Sequence, residues 1–526
     1  MWKRPAIVIL GAVFAGAASF FERDVIRGVP SEHSLLNVES ILALAFVAIL
    51  LLRSHPNPAT AQGGARAWAA ALITGLIALA FAGSLRSPFL FDDYTHITDA
   101  AAYTFHVAAV QFGPVAHPPG LFFRPFGFFL YWLNYLFAGS NPVLWHATSI
   151  ALHITSSVLV YLLCGAIGLP RLPALAAASL FAINGTTAET VAWIDARFDL
   201  MVTSLVLASL LLVCRYLRTV RPGWLAAALF VAAGAMLTKE TAFCLPILIA
   251  CLAFFQPASE RRRIWTTSAW MAGLATALFA YRWWALGGIG GYRGPGGTPG
   301  IAQFSLVHAV NGLLLREWAI LCFPFNWSLD RGPLSSCALA AIPLILAACA
   351  FTSKASRSRL AGCVALVIAA SLPVQHLLLM GSTLAGARNL YLATVGWALL
   401  WGFALDGMNR RSATCIAGLL LAAQFVILQH NLAAWRDSAE LAQSVCTQFG
   451  RTAAAMPGVL VVRGLPDTRN GAVFLHNGFP QCVEMNSGFP AARIYIQEPG
   501  QLRPAWATHE FVWNAALSQL EETKSE

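Results

Sequence analysis

Charged side chains are scarce in this chain of 526 residues, because Asp, Glu, Lys and Arg together make up only 11% of it. Soluble domains carry about 25%. The chain also lacks CxxC, Walker A, GxSxG and HExxH motifs, so a structural zinc site, ATP-driven transport, a serine hydrolase and a zinc protease all lack support. Hydrophobic residues make up 58% and the mean hydropathy is +0.64. This composition predicts a multi-pass membrane protein.

The apolar residues fall into thirteen runs of the length that can cross a bilayer, which is about 20 residues. These runs lie at residues 5–21, 36–52, 68–84, 142–164, 172–186, 198–214, 223–238, 241–256, 264–281, 336–352, 361–378, 390–406 and 413–429. The first run also fits a cleavable signal peptide. The net charge of +10 fits the positive-inside rule better than a nucleic-acid surface, because Lys and Arg are spread over short loops on one side of the runs.

We therefore predict an α-helical bundle of about 13 transmembrane helices over residues 1–430, with outer loops at 85–140 and 284–335. Segments 101–138 and 304–323 are apolar but contain Pro, Arg and Asn at irregular spacing, which is typical of interfacial or re-entrant helices. After residue 430 a helix at 433–450 precedes three short strand-like segments, GVLVVRGLP, RIYIQEP and HEFVWN. The tail 431–526 is thus predicted to be a small extracytoplasmic α/β domain.

Two adjacent carboxylates, Asp92 and Asp93, follow the run 68–84 in the segment SPFLFDDYTHITDA. Ionisable groups at a membrane boundary are costly unless they have a role. Four further charged segments, FFRPF, TAETVAWIDAR, LTKETAFCLP and ARNLYLATVGW, lie at the edges of other runs on the same predicted side. The pattern favours an active site assembled at one face of the bundle, although an acidic pair can also simply stabilise a helix N-terminus.

The order of these segments resembles the GT-C class of polyprenyl-phosphate-dependent glycosyltransferases, and above all the transmembrane TPR-type protein O-mannosyltransferases and their bacterial relatives. The likeness covers residues 68–406, and the tail takes the place of the TPR repeats. It implies a GT-C-like bundle whose first outer acid, here Asp92 or Asp93, acts as general base or binds the acceptor. It also implies that Arg388 neutralises the phosphate of the lipid donor, where the alternative is a basic residue that anchors the topology. No cofactor is required by such chemistry.

The other charged segments supply candidate substrate-binding residues, each with a structural alternative. Arg124 suits a bidentate phosphate contact or reaches the headgroups. Lys239 suits a phosphate or pyranose contact, or pairs with the adjacent Glu240. Glu189 and Arg197, eight residues apart, suit substrate contact or an ion pair. The full set of candidates is Arg124, Glu189, Arg197, Lys239, Glu240, Arg388 and Tyr391.

Asp92, His96 and Asp99 are candidate ligands of a divalent cation, because they share one face if their segment is helical. The alternative is a hydrogen-bonded cap with two surface residues. In the tail, Cys446 and Cys482 are the two cysteines after residue 430, which suggests a disulfide bond in an oxidising compartment, or else two buried thiols.

The resemblance thus implies an enzyme that moves a mannose-like hexose from a polyprenyl-phosphate donor to a hydroxyl acceptor, and the predicted topology puts it at the periplasmic face of a bacterial inner membrane. The expected partners are the lipid-linked donor, an unknown acceptor on a protein, lipid or glycan, and membrane lipid, but no nucleic acid. A lipid-linked glycan flippase and an inactive accessory protein with the same fold are the alternatives. A transporter usually carries charges near the bilayer midplane and repeated halves, whereas here the charges gather at one face.

Overall fold

A computed structural model describes residues 61–114, 122–291, 305–322, 324–326, 357–377, 383–501, 504, 506 and 508–523. The predicted spans 5–21, 36–52 and 336–352 lie outside the described residues. The chain divides into two compact units after Ala82. In the first unit, helix α1 (Ala61–Phe81) is strongly apolar and matches the predicted run at 68–84.

The second unit contains most of the described chain and is mainly helical. Its helices up to residue 286 are α2 (Asp92–Ala102), α3 (Phe105–Val110), α4 (Pro125–Ala138), α5 (Pro142–Ala166), α6 (Arg171–Ala182), α7 (Thr187–Ala192), α8 (Arg197–Thr219), α9 (Pro222–Met236), α10 (Leu245–Cys251) and α11 (Arg261–Leu286). The later helices are α12 (Leu306–Asn311), α13 (Glu317–Cys322), α14 (Arg357–Ser371), α15 (Ala393–Asp406), α16 (Arg410–Ala453) and α17 (Phe479–Ser487). Short 3₁₀ turns at Ala82–Arg86, Glu240–Cys244, Leu252–Phe254, Ala258–Glu260, Leu372–Leu377, Ala387–Leu390 and Ala491–Arg493 link or extend them.

Five of the described helices are long and apolar enough to cross a membrane. They span Arg66–Arg86, Pro142–Ala166, Arg197–Thr219, Arg357–Val374 and Arg410–Ala453. Shorter apolar helices lie at four more predicted runs, at Arg171–Ala182, Pro222–Met236, Glu240–Phe254 and Ala393–Asp406. The helical and membrane character of the chain is therefore confirmed, while the number of thirteen crossings stays a prediction.

Local sequence explains where these helices begin and how closely they pack. Helices α5 and α9 begin with proline, whose fixed φ and missing N–H suit the first turn. Asn141 caps α5 by accepting a hydrogen bond from the Val143 backbone N–H. On α15, a Cβ placed on Gly402 would lie 2.6 Å from Leu169 and 3.0 Å from Ala177. Only glycine therefore allows α15 to approach α6 this closely.

The two segments predicted as interfacial or re-entrant consist of short, broken helices. The first, 101–138, contains α3 and α4 after the last two residues of α2, and the second contains α12 and α13 with a π-helical turn at Gly312–Arg316 between them. Interruptions of this kind expose backbone groups that a lipid environment cannot satisfy, so they occur where protein or water surrounds them. The first of these segments contributes Arg124, between α3 and α4, to the candidate site.

The tail forms a small α/β domain, as predicted. Its sheet has the order β4–β1–β5–β6, with β1 (Leu460–Arg463) parallel to β4 (Ile494–Gln497) and β5 (His509–Asn514), and β6 (Gln519–Glu522) antiparallel to β5. A small hairpin joins β2 (Thr468–Arg469) to β3 (Ala472–Val473). The three strand-like segments are confirmed, whereas β2, β3 and β6 were too short or too polar to be recognised.

Helix α16 runs without a break from the apolar part of the chain into the tail. The predicted boundary at residue 430 therefore falls inside a helix of 44 residues. Cys446 on α16 and Cys482 on α17 form a disulfide bond, with their Cα atoms 5.9 Å apart. The disulfide is confirmed, and it fastens α17 to the long helix.

Candidate active site

The acidic pair opens helix α2, and its two carboxylates have different environments. Asp93 is 1% exposed, and its oxygens accept hydrogen bonds from the backbone N–H groups of Leu90 and Asp195, each at 2.9 Å. Burial raises the pKa of Asp93, which the two hydrogen bonds partly offset. Asp92, by contrast, is only partly buried. Asp93 thus holds two loops together, while Asp92 is open to a substrate.

Asp92 lies among several charges. Burial and the nearby charge of Asp195 raise its pKa to about 6, against the opposing charges of His96 and Arg388 and a hydrogen bond from the Asn477 side chain. The repelling charge comes from Asp195, which is far from Asp92 in sequence. A carboxylate with this pKa is ionised at neutral pH and still basic enough to accept a proton.

His96 pairs with Asp195, whose Oδ1 lies 2.5 Å from the ring Nδ1. Burial alone would lower the pKa of His96, but the charge of Asp195 and the hydrogen bond to it raise it to about 9. The pKa of Asp195 is lowered by the same pair, against the effect of its burial. At neutral pH, therefore, His96 is a cation and Asp195 an anion.

The predicted cation site takes a different form in the structure. Asp92, His96 and Asp99 do lie on one helix, but His96 points to Asp195 and Asp99 is exposed. Among the described residues, no group of three His, Cys, Asp or Glu side chains has a geometry suited to a metal ion. The donor set of the acidic helix therefore fits a charge pair with Asp195 better than it fits a metal.

Arg388 is fixed by a carboxylate and by an aromatic ring. Its guanidinium pairs with Glu189, and its backbone N–H donates to the same carboxylate at 3.1 Å. Its guanidinium carbon lies 4.7 Å from the centre of the Trp193 ring. The turn before it contains Leu384 at φ +59° and Gly386 at φ +90°. A left-handed leucine costs free energy and is found where the surrounding structure enforces a geometry.

Arg124 and Arg282 share Glu240. Arg124 donates two hydrogen bonds to Glu240 Oε2, at 3.1 and 2.9 Å, and Arg282 donates one to Oε1 at 3.2 Å. Two guanidinium groups thus face one carboxylate. Guanidinium groups are also suited to bidentate contacts with phosphate oxygens.

One alternative from the sequence paired Lys239 with Glu240, but Lys239 has a different partner in the structure. Its ammonium contacts both oxygens of Asp199, each at 2.6 Å, and the two residues are 7% and 3% exposed. Arg197 and Glu189 also form no pair with each other. Arg197 is buried, donates to the backbone oxygen of Trp145 at 2.9 Å and stacks on that ring. Neither of the two ion pairs suggested by the sequence, Lys239–Glu240 and Glu189–Arg197, is therefore present.

Tyr391 lies deeper in the helix bundle than the charged residues. It is 1% exposed, and its hydroxyl donates to Nδ1 of His153 at 2.6 Å, while Nε2 of that ring donates to the Ala182 carbonyl. These contacts join α5, α6 and the start of α15. They favour a packing role for Tyr391, so its contact with substrate stays a prediction.

The candidate site thus combines loops that are far apart in sequence. Asp195 lies within electrostatic reach of His96, Arg388 and Arg124, and Lys239 lies within reach of Arg124 and Arg388. Sequence reasoning missed Asp195, Asp199, Arg282 and Asn477. Asp195 lies in the quoted segment TAETVAWIDAR and Asp199 lies two residues after its end, so their acidic side chains were the available signal.

The arrangement offers an open basic carboxylate beside a group of cations. A carboxylate can accept the proton of a hydroxyl group, and a guanidinium group can make bidentate hydrogen bonds to a phosphate. Phe91, directly before the acidic pair, has φ +58° although it is not glycine. Strain of this kind at the start of a helix indicates that the position of the acids is enforced by the fold.

Comparison with known proteins gives a consistent picture. Residues 116–284 match the family of dolichyl-phosphate-mannose-protein mannosyltransferases. The chain is 29% identical over 167 residues to protein O-mannosyl-transferase Tmtc1 of Drosophila melanogaster, which covers 32% of this chain and 19% of the relative. It is 31% identical over 206 residues to protein O-mannosyl-transferase TMTC1 of Homo sapiens, which covers 35% of this chain and 23% of the relative.

The resemblance predicted from the order of the motifs is therefore confirmed. The chain aligns with only about a fifth of the length of these relatives. The matched segment 116–284 includes Arg124, Asp195 and Glu240, whereas Asp92 and Arg388 lie on either side of it.

Proposed function

We propose that this protein is a membrane glycosyltransferase that transfers a mannose-like hexose from a polyprenyl-phosphate donor to a hydroxyl acceptor. The observation that carries this proposal is the convergence of charged residues from separate loops around Asp92, in a chain whose composition is otherwise that of a membrane protein. The resemblance to O-mannosyltransferases supports the reaction type. The acceptor is a hydroxyl group of a protein, lipid or glycan.

Asp92 acts as the general base, and Asp93 as the residue that fixes its helix. Both oxygens of Asp93 already accept hydrogen bonds from backbone N–H groups, and its side chain is buried. Asp92 is partly exposed and its pKa of about 6 suits proton transfer at neutral pH. Of the two acids that the sequence left open, the geometry therefore favours Asp92.

The cations stabilise the phosphate that leaves. Arg388 and Arg124 are each held by one carboxylate, Glu189 and Glu240, so their guanidinium groups are ordered before a donor binds. Ordered donors stabilise developing charge without having to reorganise. Lys239 is already neutralised by Asp199, so we assign it to the support of this group rather than to the phosphate itself.

The reaction is a single displacement. The Asp92 carboxylate takes the proton of the acceptor hydroxyl, whose oxygen forms a bond to the anomeric carbon of the sugar. The bond from that carbon to the phosphate oxygen breaks, and the electron pair leaves with the polyprenyl phosphate. Arg388 and Arg124 compensate the negative charge on the phosphate, and the configuration at the anomeric carbon is inverted.

We place the site on the periplasmic face of a bacterial inner membrane, because the basic loops predict the opposite side as cytoplasmic. A cysteine introduced at Thr95 should react with an impermeant thiol reagent in intact spheroplasts. A cysteine introduced at Arg262, at the exposed start of α11, should react only after permeabilisation. The reverse labelling would contradict this placement.

The reaction itself can be tested in membranes of native cells from which the gene is deleted and then restored as a variant. A radiolabelled mannosyl-phosphate polyprenol of short chain serves as donor, and release of polyprenyl phosphate is measured. Asp92→Asn should lower release about a hundredfold or more. Asp437→Asn, a change of an exposed acid on α16, is the matched control. Full activity of Asp92→Asn would refute the assignment.

A further inference from the structure

The C-terminal domain touches the acidic helix directly. Its helix α17 packs against α2, and the Asn486 side chain donates to the hydroxyl of Tyr94 at 3.3 Å. The residue before α17 is Gly478, at φ +73°. A Cβ placed there would lie 2.3 Å from the Phe91 carbonyl oxygen and 3.3 Å from Thr95 Oγ1. The chain at Gly478 is therefore pressed against the backbone that leads into the acidic pair.

This close approach brings Asn477 to Asp92. Gly478 lies against the backbone next to Asp92, so its neighbour Asn477 lies beside that carboxylate, near enough for its side-chain amide to lower the pKa of Asp92 as a hydrogen-bond donor. Asn477 is otherwise exposed. It therefore lies at the exposed edge of the site, beside the accessible acid.

The domain is held in this position from its other side. The disulfide between Cys446 and Cys482 links α17 to α16 within the first turn and a half of α17. Trp435 on α16 stacks on Trp193, the ring that supports Arg388. The long helix thus contacts both the cationic part of the site and the helix that positions Asn477.

We propose that the C-terminal domain completes the active site, with Asn477 as a positioning residue that orients the Asp92 carboxylate through its side-chain amide. The proposal rests on the proposed function, because it acts through Asp92 as the base. The amide stabilises the ionised carboxylate and directs one of its oxygens, which leaves the other to receive the acceptor's proton. The C-terminal domain thereby becomes part of the enzyme's chemistry.

Docking of the domain can be tested without any substrate. Gly478→Ala and Gly488→Ala impose a similar backbone strain, at φ +73° and φ +77°, but a Cβ at Gly488 meets nothing within 4 Å. In the full chain in nanodiscs, Gly478→Ala should raise hydrogen exchange of segment 92–102 at least tenfold over Gly488→Ala. Equal exchange in the two variants would show that the contact does not hold the acidic helix and would overturn the proposal.

The chemical role is tested by the pH dependence of donor turnover, measured with the short-chain mannosyl-phosphate polyprenol. Asn477→Ala removes a hydrogen bond to the ionised form, so the midpoint of the acid limb should rise by about 0.5 to 1 pH unit. Asn477→Asp should raise it further by charge repulsion, and Asn477→Gln should restore it in part. The other charges that face Asp92, which are His96, Asp195 and Arg388, are unchanged in all three variants.

The possible results separate this proposal from the proposed function. An unchanged acid limb in Asn477→Ala, together with an inactive Asp92→Asn, would refute the role of Asn477 and leave the glycosyltransferase assignment intact. Full turnover in Asp92→Asn would refute the base itself, and the role of Asn477 with it. A raised limb in Asn477→Ala with recovery in Asn477→Gln supports both, because a purely structural defect would lower turnover at every pH.

Discussion

The rate of transfer should follow a bell-shaped pH profile whose two limbs belong to Asp92 and His96. Asp92 must be ionised to accept a proton, so activity falls as pH drops through its pKa of about 6. About nine tenths of Asp92 is ionised at pH 7 and about one tenth at pH 5, so kcat/KM at pH 5 should be about a tenth of its value at pH 7. His96 loses its proton as pH rises through about 9, which removes a cation beside the base.

His96→Gln separates the two limbs. The variant has no titrating group in place of the imidazole, so the alkaline limb should disappear. The acid limb should also shift, because the charge of His96 lowers the pKa of Asp92 and its loss raises that pKa by up to about one unit. The activity of the variant at pH 6 should therefore fall more than its activity at pH 7.5.

Initial rates of donor turnover between pH 5 and 10 provide the assay. Samples held at each extreme and returned to pH 7.5 serve as the control, because full recovery excludes denaturation. Activity at pH 5 within twofold of that at pH 7 would contradict the role of Asp92. An unchanged alkaline limb in His96→Gln would show that another group titrates there.

Three further predictions concern the cations and the tail. Arg388→Ala should weaken donor affinity by about tenfold to a hundredfold, because it removes a charge-assisted contact worth about 1.5 to 3 kcal/mol. Initial-rate kinetics should show acceptor affinity nearly unchanged. Equal losses of affinity for both substrates would contradict a specific role. Lys239→Met should leave Asp199 buried without a partner and lower the free energy of unfolding by about 3 to 5 kcal/mol, and adding Asp199→Leu should restore most of it in thermal-shift assays. Cys446 and Cys482 should be recovered as one linked peptide in non-reducing mapping, and Cys446→Ser should destabilise the tail by about 3 to 4 kcal/mol; two freely alkylatable thiols would refute the bond.

The features that depend on local sequence were predictable. Runs such as 142–164 have the length and composition of a spanning helix, and α5 at Pro142–Ala166 matches that run within two residues at the C-terminal end. The apolar run in GVLVVRGLP likewise predicted β1, whose first three residues are buried. In both cases a run of apolar residues marks the element, although β1 also needs β4 and β5 to complete its backbone hydrogen bonds.

Charge pairing was not predictable, because it depends on which loops meet in three dimensions. Lys239 stands next to Glu240 in sequence, yet the 3₁₀ turn that begins at Glu240 points the two side chains to different partners, Asp199 and Arg124. Arg282 directly follows the predicted apolar run 264–281, and nothing in the sequence indicated a contact with Glu240. Neighbours along the chain are thus a poor guide to ion pairs in a protein assembled from short, broken helices.

The predicted break at residue 430 also depended on a local signal that the fold overrides. The composition becomes polar there, but helix α16 continues because Asn431 is buried and donates to the backbone oxygens of Gly185 and Pro324, at 2.9 and 2.7 Å. A polar residue in an apolar helix usually indicates the end of the membrane-spanning part, whereas here Asn431 hydrogen-bonds the backbone of neighbouring segments. The sequence contains no information on that partner.

The length of helix α16 determines how far the tail lies from the apolar part of the chain and in which direction it faces. Its 44 residues extend about 66 Å at 1.5 Å per residue, roughly twice the hydrocarbon thickness of about 30 Å. Since each residue also turns the helix by about 100°, inserting or deleting a single residue in its outer half would rotate the tail about the helix axis by about that angle. The number of residues in this helix therefore cannot change without moving the tail away from the acidic helix.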